Sequence, residues 1–225
     1  NDDSLIVFLY ELEKWVYCEK KFEWAFNVDE LTALRRIKNE DQRRLSFIWR
    51  IILKSFLSQV LKKSAIDVQF ALSESGKPFF PKKSGFEHIK FNASHTQSHG
   101  VLAISRFGPL GIDIESVDRV VDWESVANRF FSRQDRERLT KLPKKEAKEE
   151  FLRIWTRIEA IIKMNDDKVA NIFDSQNQEM LVSFYPNTKP LGLPKNLAGH
   201  LACPKFPSKV TNPIPVFKLP FPVNA

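Results

Sequence analysis

The stretch "GPLGIDIES", Gly108–Ser116, alternates apolar and acidic residues. Ile112 and Ile114 fall on one side of an extended chain, and Asp113 and Glu115 on the other. Two carboxylates two residues apart on a strand stand about 7 Å from each other and repel unless a positive charge lies between them. A hard divalent cation such as Mg²⁺ would resolve the repulsion, because it takes one or two carboxylates and completes its shell with water and phosphate oxygens. The solvated face of an edge strand would do so equally well. Gly108 and Pro109 read as a joint in the chain, and Gly111 as a position where a side chain would crowd whatever packs on the strand.

Outward from this strand, hydrophobic periodicity predicts a mixed α+β chain. On its N-terminal side, strands are expected at Leu5–Glu13, Ile66–Leu72, the "HIKFN" segment ending at Asn92, and Gly100–Ser105. A long helix runs from Asp41 to about Lys62, and "SESGKPFFPKKSG" forms a turn-rich loop. On its C-terminal side, a helical region covers Trp123–Leu139 and a longer helix runs from about Lys145 to Met164, followed by strands near Met180–Phe184 and Asn196–Ala202. The proline-rich tail Pro204–Pro222 suits an edge strand or a wrapping extended segment. The order of elements repeats loosely about the Phe107/Gly108 joint, which predicts two α+β halves, 1–107 and 108–225.

Composition removes several function classes. With 19 Phe and 5 Trp but only 7 Gly in 225 residues, the chain can bury a core and has no glycine-rich phosphate loop of the P-loop or Rossmann kind. Phosphate chemistry must come from side chains. Cys18 and Cys203 are isolated, so a zinc cluster or disulfide framework is not expected, and both read as buried reduced thiols. The apolar runs are too short to span a bilayer and the N-terminal stretch lacks a secretory pattern, so the expectation is a cytoplasmic protein that does not engage the membrane. A formal charge of +7 points to an acidic partner without choosing among nucleic acid, anionic lipid, a phosphorylated small molecule and an acidic protein.

A second constellation lies in "FLRIWTRIEAIIKM", Phe151–Met164. Trp155, Glu159 and Lys163 recur every four residues and form one stripe of an otherwise apolar helix. Such a Glu–Lys pair is commonly a helix-stabilising ion pair, but on so apolar a helix the stripe must reach solvent or be satisfied in a cleft. A third group comprises Arg44 in "EDQRRLS", Lys77 in "SGKP", and Ser94 and His95 in "FNASH". Taken singly, each is an ordinary surface or hydrogen-bonding residue.

In this order, "SGKP", "FNASH", "GIDIE", "RFFS" and "WTRIEAIIK" resemble the Sfp-type 4′-phosphopantetheinyl transferases, in which a Gly-(Ile/Val)-Asp-x-Glu strand precedes Trp-Ser/Thr-x-Lys-Glu-Ala/Ser-x-x-Lys by about forty-five residues. The likeness runs from near Arg44 to Lys163. It implies two similar α+β halves related by a pseudo-twofold axis, with a cofactor cleft between them. It also implies transfer of the 4′-phosphopantetheine arm of coenzyme A to a carrier-protein serine, with release of adenosine 3′,5′-bisphosphate.

By that resemblance Asp113, Glu115 and Glu159 would hold Mg²⁺, or Mn²⁺ in its place. Glu159 would also be the candidate general base, directly or through a water, and Lys163 would meet a phosphate oxygen. Arg44 and His95 would take the coenzyme's 3′-phosphate, with Ser94 and Lys77 at its phosphates or adenine. One position departs from the pattern: Ile158 stands where the family has Lys, so Arg153 or Arg157 would have to supply the missing cation.

The implied partner is an acidic acyl or peptidyl carrier protein of fatty-acid, polyketide or nonribosomal peptide synthesis, met by a monomer. Arg129–Lys148 offers a basic surface for it, with Phe131 as the foremost apolar contact. Two rival readings follow from the same residues. A basic nucleic-acid-binding module would explain the charge but leave the acidic constellations idle and carries none of the usual signatures, so no nucleic acid is expected. A coenzyme A-binding homologue with weak or lost catalysis would follow from Ile158.

Overall fold

The computed structural model describes residues 4–15, 20–167 and 185–218. The chain divides into two compact units, one of Asn1–Leu9 with Ala71–Lys218 and the other centred on Tyr10–Phe70. The Phe107/Gly108 joint therefore lies inside the larger unit, which carries the strands on both sides of it.

The smaller unit is built on two helices, α1 (Val28–Arg35) and α2 (Glu40–Leu61). Asn27 starts α1 with a capping box: its side chain accepts from the Glu30 amide at 2.8 Å, and Glu30 accepts from the Asn27 amide at 3.0 Å. Glu30 also receives the fully buried Lys54 ammonium at 2.8 Å, so α2 is fastened to the first turn of α1 by a charge-assisted bond shielded from water. Phe47, Ile48, Ile51, Ile52 and Leu53 fill the buried stripe of α2. The strand expected at Ile66–Leu72 is mostly absent, with a 3₁₀ turn at Ala65–Asp67 and only Ala71–Leu72 extended. Its alternation is not matched by burial, since Val68 is buried while Ile66 stands exposed.

In the larger unit a four-stranded sheet has the order β4-β5-β1-β9, where β1 is Leu5–Glu11, β4 Lys90–His95, β5 His99–Ser105 and β9 Phe217–Lys218. A small hairpin pairs β2 (Ala71–Leu72) with β3 (Pro78–Phe79). A third sheet has the order β6-β8-β7, from Gly111–Ser116, Leu197–Ala202 and Thr188–Pro190 respectively. The tail ends as the expected edge strand: β9 lies parallel to β1 with Phe8 opposite Phe217. Cys203 is a buried free thiol, whereas Cys18 and the strand expected at Met180–Phe184 lie outside the described residues.

The helical region Trp123–Leu139 is two helices, α3 (Trp123–Phe130) and α4 (Arg133–Thr140). Ser132 breaks it by capping α4, accepting from the Asp135 amide at 3.1 Å, as serine does at a helix start. The long helix α5 (Lys144–Asn165) packs its apolar face on β6 and β8, burying Leu152, Ile154, Ile158, Ile161 and Ile162 with Phe151 and Phe131. Gly111 makes the closest approach: a Cβ there would stand 2.0 Å from the Ala160 carbonyl oxygen and 2.3 Å from the Met164 nitrogen. The crowding inferred from the sequence is thus contact with the backbone of α5.

Gly111→Ala should force the strand away from the helix and destabilise the protein by about 1–3 kcal/mol, the usual range for overpacking. Urea unfolding of the two proteins would measure it. A change below about 0.5 kcal/mol, typical of neutral surface positions, would mean that β6 and α5 do not approach this closely.

Candidate active site

The site forms where β6 meets α5 and β4. Asp113 is not on a solvated face: its side chain points toward α5 and the residue is only 4% exposed. Its Oδ1 accepts from the Lys163 ammonium at 2.6 Å and from the Ser94 hydroxyl at 2.7 Å, and Lys163 Nζ also donates to Ser94 Oγ at 3.1 Å. Its Oδ2 is buried and has no hydrogen-bond partner among the described residues. One residue back, the Ile112 amide donates to the Asn92 side chain at 2.9 Å. Asn92 and Ser94 stand on the same face of β4, so "FNAS" grips β6 through two side chains.

Glu115, two residues beyond Asp113, is half-buried, paired with Arg119 and hydrogen-bonded by Trp155. Burial, and then the Asp113 charge, push its carboxyl above the usual range despite Arg119 and Lys163. Glu159, one turn before Lys163 on α5, is pushed up to about 7 by burial and Asp113, with Glu115 adding to the rise and Lys163 and Arg119 opposing it. Burial by itself would lower Lys163, but Asp113, Glu159 and Glu115 outweigh it and hold the ammonium above its ordinary value. Three carboxylates thus share one buried ammonium and one surface guanidinium.

Among the described residues no three acidic, His or Cys side chains are gathered closely enough to form a metal cluster. The donor set nevertheless suits a hard cation. All three groups offer carboxylate oxygens, their charges are incompletely balanced, and the orphaned Oδ2 of Asp113 lacks the partner that a buried anion requires.

The remaining expected residues are placed differently. His95 is exposed at the end of β4, with Nδ1 3.3 Å from the Thr96 carbonyl. Arg44 is exposed on α2, in the smaller unit. Lys77 does not extend into solvent: its ammonium donates to the carbonyls of Leu110 at 3.0 Å and Lys163 at 2.5 Å, with Met164 at 3.5 Å, and burial lowers its pKa.

Phe131 is a correction to the expected carrier contact. It is 0% exposed and stacks on Phe151 at 5.2 Å, because the chain leaving α3 drives this ring into the core under α5. Ile158 is 1% exposed in the same core. Arg153 pairs with Glu150, and Arg157 lies over the Tyr185 ring, so both arginines expected to replace the missing lysine have other contacts.

Sequence reasoning missed three contributors. Asn92 was visible only as the residue two before Ser94. Trp155 lay in the stripe with Glu159 but was not read as a donor to Glu115. His200, the cross-strand partner of Asp113, is buried, hydrogen-bonded to Thr156 at 2.9 Å and held down to about 3 by burial and then Arg157 and Arg153, so it remains neutral. Nothing local in the sequence links position 200 to position 113.

The geometry can be set beside known proteins. Residues 109–191 match the model of the 4′-phosphopantetheinyl transferase superfamily, and residues 13–106 match that of the 4′-phosphopantetheinyl transferase N-terminal region. The chain belongs to the 4′-phosphopantetheinyl transferase superfamily. Among curated members it is similar to the 4′-phosphopantetheinyl transferase HetI of Nostoc sp., with 33% identity over 144 residues that cover 64% of this chain and 61% of HetI. It is also similar to Sfp of Bacillus subtilis, with 27% identity over 156 residues covering 69% of this chain and 67% of Sfp. AcpT of Escherichia coli K12 is 36% identical over 90 residues, covering 40% of this chain and 45% of AcpT. The match thus spans about three-fifths of HetI; Asp113, Glu115, Glu159 and Lys163 fall within the superfamily match, and Asn92 and Ser94 within the N-terminal one.

Glu159 gives this family member a pH signature. A carboxyl raised to about 7 in the folded state, against 4.5 when unconstrained, makes the folded protein bind the proton more tightly. Stability should therefore fall as pH rises from about 4.5 to about 7 and change little from this source above that. With a chelator present, Glu159→Gln should be more stable than wild type at pH 8 by on the order of 1–3 kcal/mol, with the gap closing toward pH 4.5. Denaturant midpoints at a series of pH values would show this, and a pH-independent gap would contradict the raised pKa.

Proposed function

We propose that this chain transfers the 4′-phosphopantetheine arm of coenzyme A to a serine of a carrier protein, with Mg²⁺ or Mn²⁺ as the activating cation. Members of the superfamily use coenzyme A and carrier proteins, generally with a divalent metal. The observation that carries the reading is the Asp113–Lys163–Ser94 cluster, with Glu115 and Glu159 close enough for the Asp113 charge to raise the pKa of both.

The reaction asks little covalent chemistry of the protein. The serine hydroxyl oxygen bonds to the phosphorus that bears pantetheine, the bond from that phosphorus to the leaving adenosine 3′,5′-bisphosphate breaks, and the serine proton must go to a base. Catalysis of this kind is mainly alignment and charge stabilisation. Glu159 suits the base role because a carboxylate held near 7 accepts a proton more readily than an ordinary one while remaining substantially ionised at neutral pH. Lys163 is fixed at both ends, by the helix at its backbone and by Asp113 and Ser94 at its ammonium, so its charge faces a phosphate oxygen with little freedom to lose.

Asp113, Glu115 and Glu159 would hold the divalent cation, which when bound neutralises the phosphate charge and polarises the phosphorus under attack. Ser94 holds the Asp113 carboxylate in place by donating to its Oδ1. His95, exposed at the end of β4, and Arg44 are the proposed contacts of the 3′-phosphate. A cavity of about 630 Å³, lined by Leu72, Ser75, Phe79, Phe91 and Met164 among others, offers mixed apolar and hydroxyl surface to the rest of the coenzyme.

The proposed chain organisation is the pair of halves 1–107 and 108–225, about a pseudo-twofold axis with the coenzyme cleft between them. The proposed partner is an acidic carrier, met by a monomer in the cytoplasm. Its docking surface is the basic rim of α3 and α4 with Phe131 excluded. Much of that rim is internally paired, as Arg133 is with Glu137 and Arg138 with Glu150, so its attraction is general rather than residue-specific. No helix among the described residues is long and apolar enough to cross a membrane. Ile158 favours a second reading, a homologue that binds coenzyme A but transfers slowly or not at all, because the family lysine is replaced by a buried side chain.

Incubation with coenzyme A, Mg²⁺ and a panel of apo carrier proteins should give the mass increase of one phosphopantetheine per carrier. Asp113→Ala and Glu159→Ala should each lower kcat/KM at least about 100-fold, the loss expected for a base or charge-stabilising group. Undiminished transfer by either variant would overturn the mechanism. Tight coenzyme A binding without transfer to any carrier would select the second reading.

A further inference from the structure

The loop Ser73–Lys77 closes on the C-terminal end of α5, the helix that carries Glu159 and Lys163. Gly76, with φ at +87°, turns the loop back so that the Ser73 amide donates to the Lys77 carbonyl at 2.9 Å and the Lys77 amide to Ser73 Oγ at 3.1 Å. The fold-back sends the Lys77 ammonium under the last turn of α5. There the Lys163 carbonyl receives only the long bond of the capping Asp166 amide, 3.4 Å, before Lys77 reaches it and the neighbouring Met164 carbonyl, and the negative end of the helix dipole lies beside them. The third acceptor, the Leu110 carbonyl, belongs to the residue that leads into β6. One ammonium thus ties the end of α5 to the start of the strand that holds Asp113.

A second tie runs between the same loop and helix. Asp166, the left-handed residue that ends α5, places its Oδ1 2.7 Å from the Ser73 hydroxyl and also accepts from the Ser75 hydroxyl. The serine hydroxyls donate into the helix end while Lys77 donates to its backbone, so "SESGK" and "NDD" close on each other as a two-point latch. The carbonyl that Lys77 holds is that of Lys163, whose own ammonium is bonded to Asp113. Any movement of the last turn of α5 would carry Lys163 away from Asp113 and Ser94.

We infer that Lys77, with Asp166, is a positioning residue of the proposed transfer reaction: it fixes the last turn of α5 on β6 and so sets the place of the Lys163 ammonium, in contrast to a role as a phosphate ligand. The inference deepens the transferase reading and rests on it. An ammonium has three protons, and all three here have carbonyl acceptors. A ligand phosphate could recruit it only by stripping the helix end. The part played by the SGKP motif in this chain is then to lock the catalytic helix.

Two kinds of measurement separate these roles. Amide hydrogen exchange of the full chain without coenzyme should show Lys77→Met and Asp166→Ala each speeding exchange at Asp166 and Asp167, whose amides bond Lys163 and Ile162 carbonyls, by tenfold or more. The double variant should exchange no faster than either single one, since opening one point opens the latch. In steady-state transfer, Lys77→Met should lower kcat about tenfold and leave KM for coenzyme A within twofold, the split expected for misplacement of a group needed at the transition state. Lys77→Arg, which keeps several donors in reach of the same carbonyls, should recover most of kcat.

Unchanged exchange in both single variants, additive exchange in the double variant, or a raised KM with kcat retained would overturn the proposal. A wild-type protein that transfers to no carrier would sink the transferase reading instead. In that case the exchange arm together with isothermal titration of coenzyme A still decides: weakened coenzyme binding by Lys77→Met with protected helix-end amides would show a ligand and not a latch.

Discussion

The Asp113–Lys163 pair is the interaction on which the larger unit's site depends. Asp113 sits where water is largely excluded, and a buried charge that loses its partner costs about 3–5 kcal/mol, far more than the pair itself contributes net. Asp113 therefore requires the half-buried Lys163 ammonium to be in place. This requirement fixes β6 against α5 more tightly than apolar packing would, because apolar faces can slide and a 2.6 Å hydrogen bond cannot. Gly111 permits the approach by having no Cβ where the α5 backbone passes, and Asn92 and Ser94 extend the constraint to β4 through side chains instead of a backbone ladder.

The same pair leaves the charges of the site unbalanced. One ammonium neutralises one of three carboxylates, Arg119 covers Glu115 from the surface, and Glu159 takes the remainder as a raised affinity for protons. Stability is spent to keep a carboxyl ready to accept a proton near neutral pH and to leave the Asp113 Oδ2 without a partner. A divalent cation seated among these carboxylates would offset the negative charge that Lys163 and Arg119 leave uncompensated.

The surroundings show how charge was distributed around this centre. Arg153 and Arg157, on the same helix as Glu159, turn to Glu150 and Tyr185, and Arg138 also joins Glu150. The basic excess of the second half is therefore partly consumed in holding α4 to α5, while the aromatic residues between the charges go inward. Phe131 illustrates the point: flanked by "RF" and "SR", it looks like an exposed anchor, yet it is a stacking partner of Phe151. His200 behaves similarly on the strand beside Asp113, kept neutral by burial so that it adds no further charge to the cluster.

Spacing in the sequence was sufficient to determine that Asp113 and Glu115 share a face of a strand and that Glu159 and Lys163 share a face of a helix, because periods of two and of four are properties of the backbone alone. It also determined where the long helices run, since α2 and α5 begin and end within about one residue of the expected bounds 41–62 and 145–164. Segments with ambiguous burial were not legible: Ile66–Leu72 alternates like a strand but only its last two residues pair with a neighbour, and the break at Ser132 depends on a cap hydrogen bond. What only the tertiary structure decided is which polar groups meet. Lys77 closing on a helix end 86 positions away, Ser94 donating to Asp113, and His200 opposite that same aspartate all depend on where the chain returns in space. That return is set by the mutual fit of whole faces, with Gly111 against the backbone of α5, and no local pattern of residues encodes it.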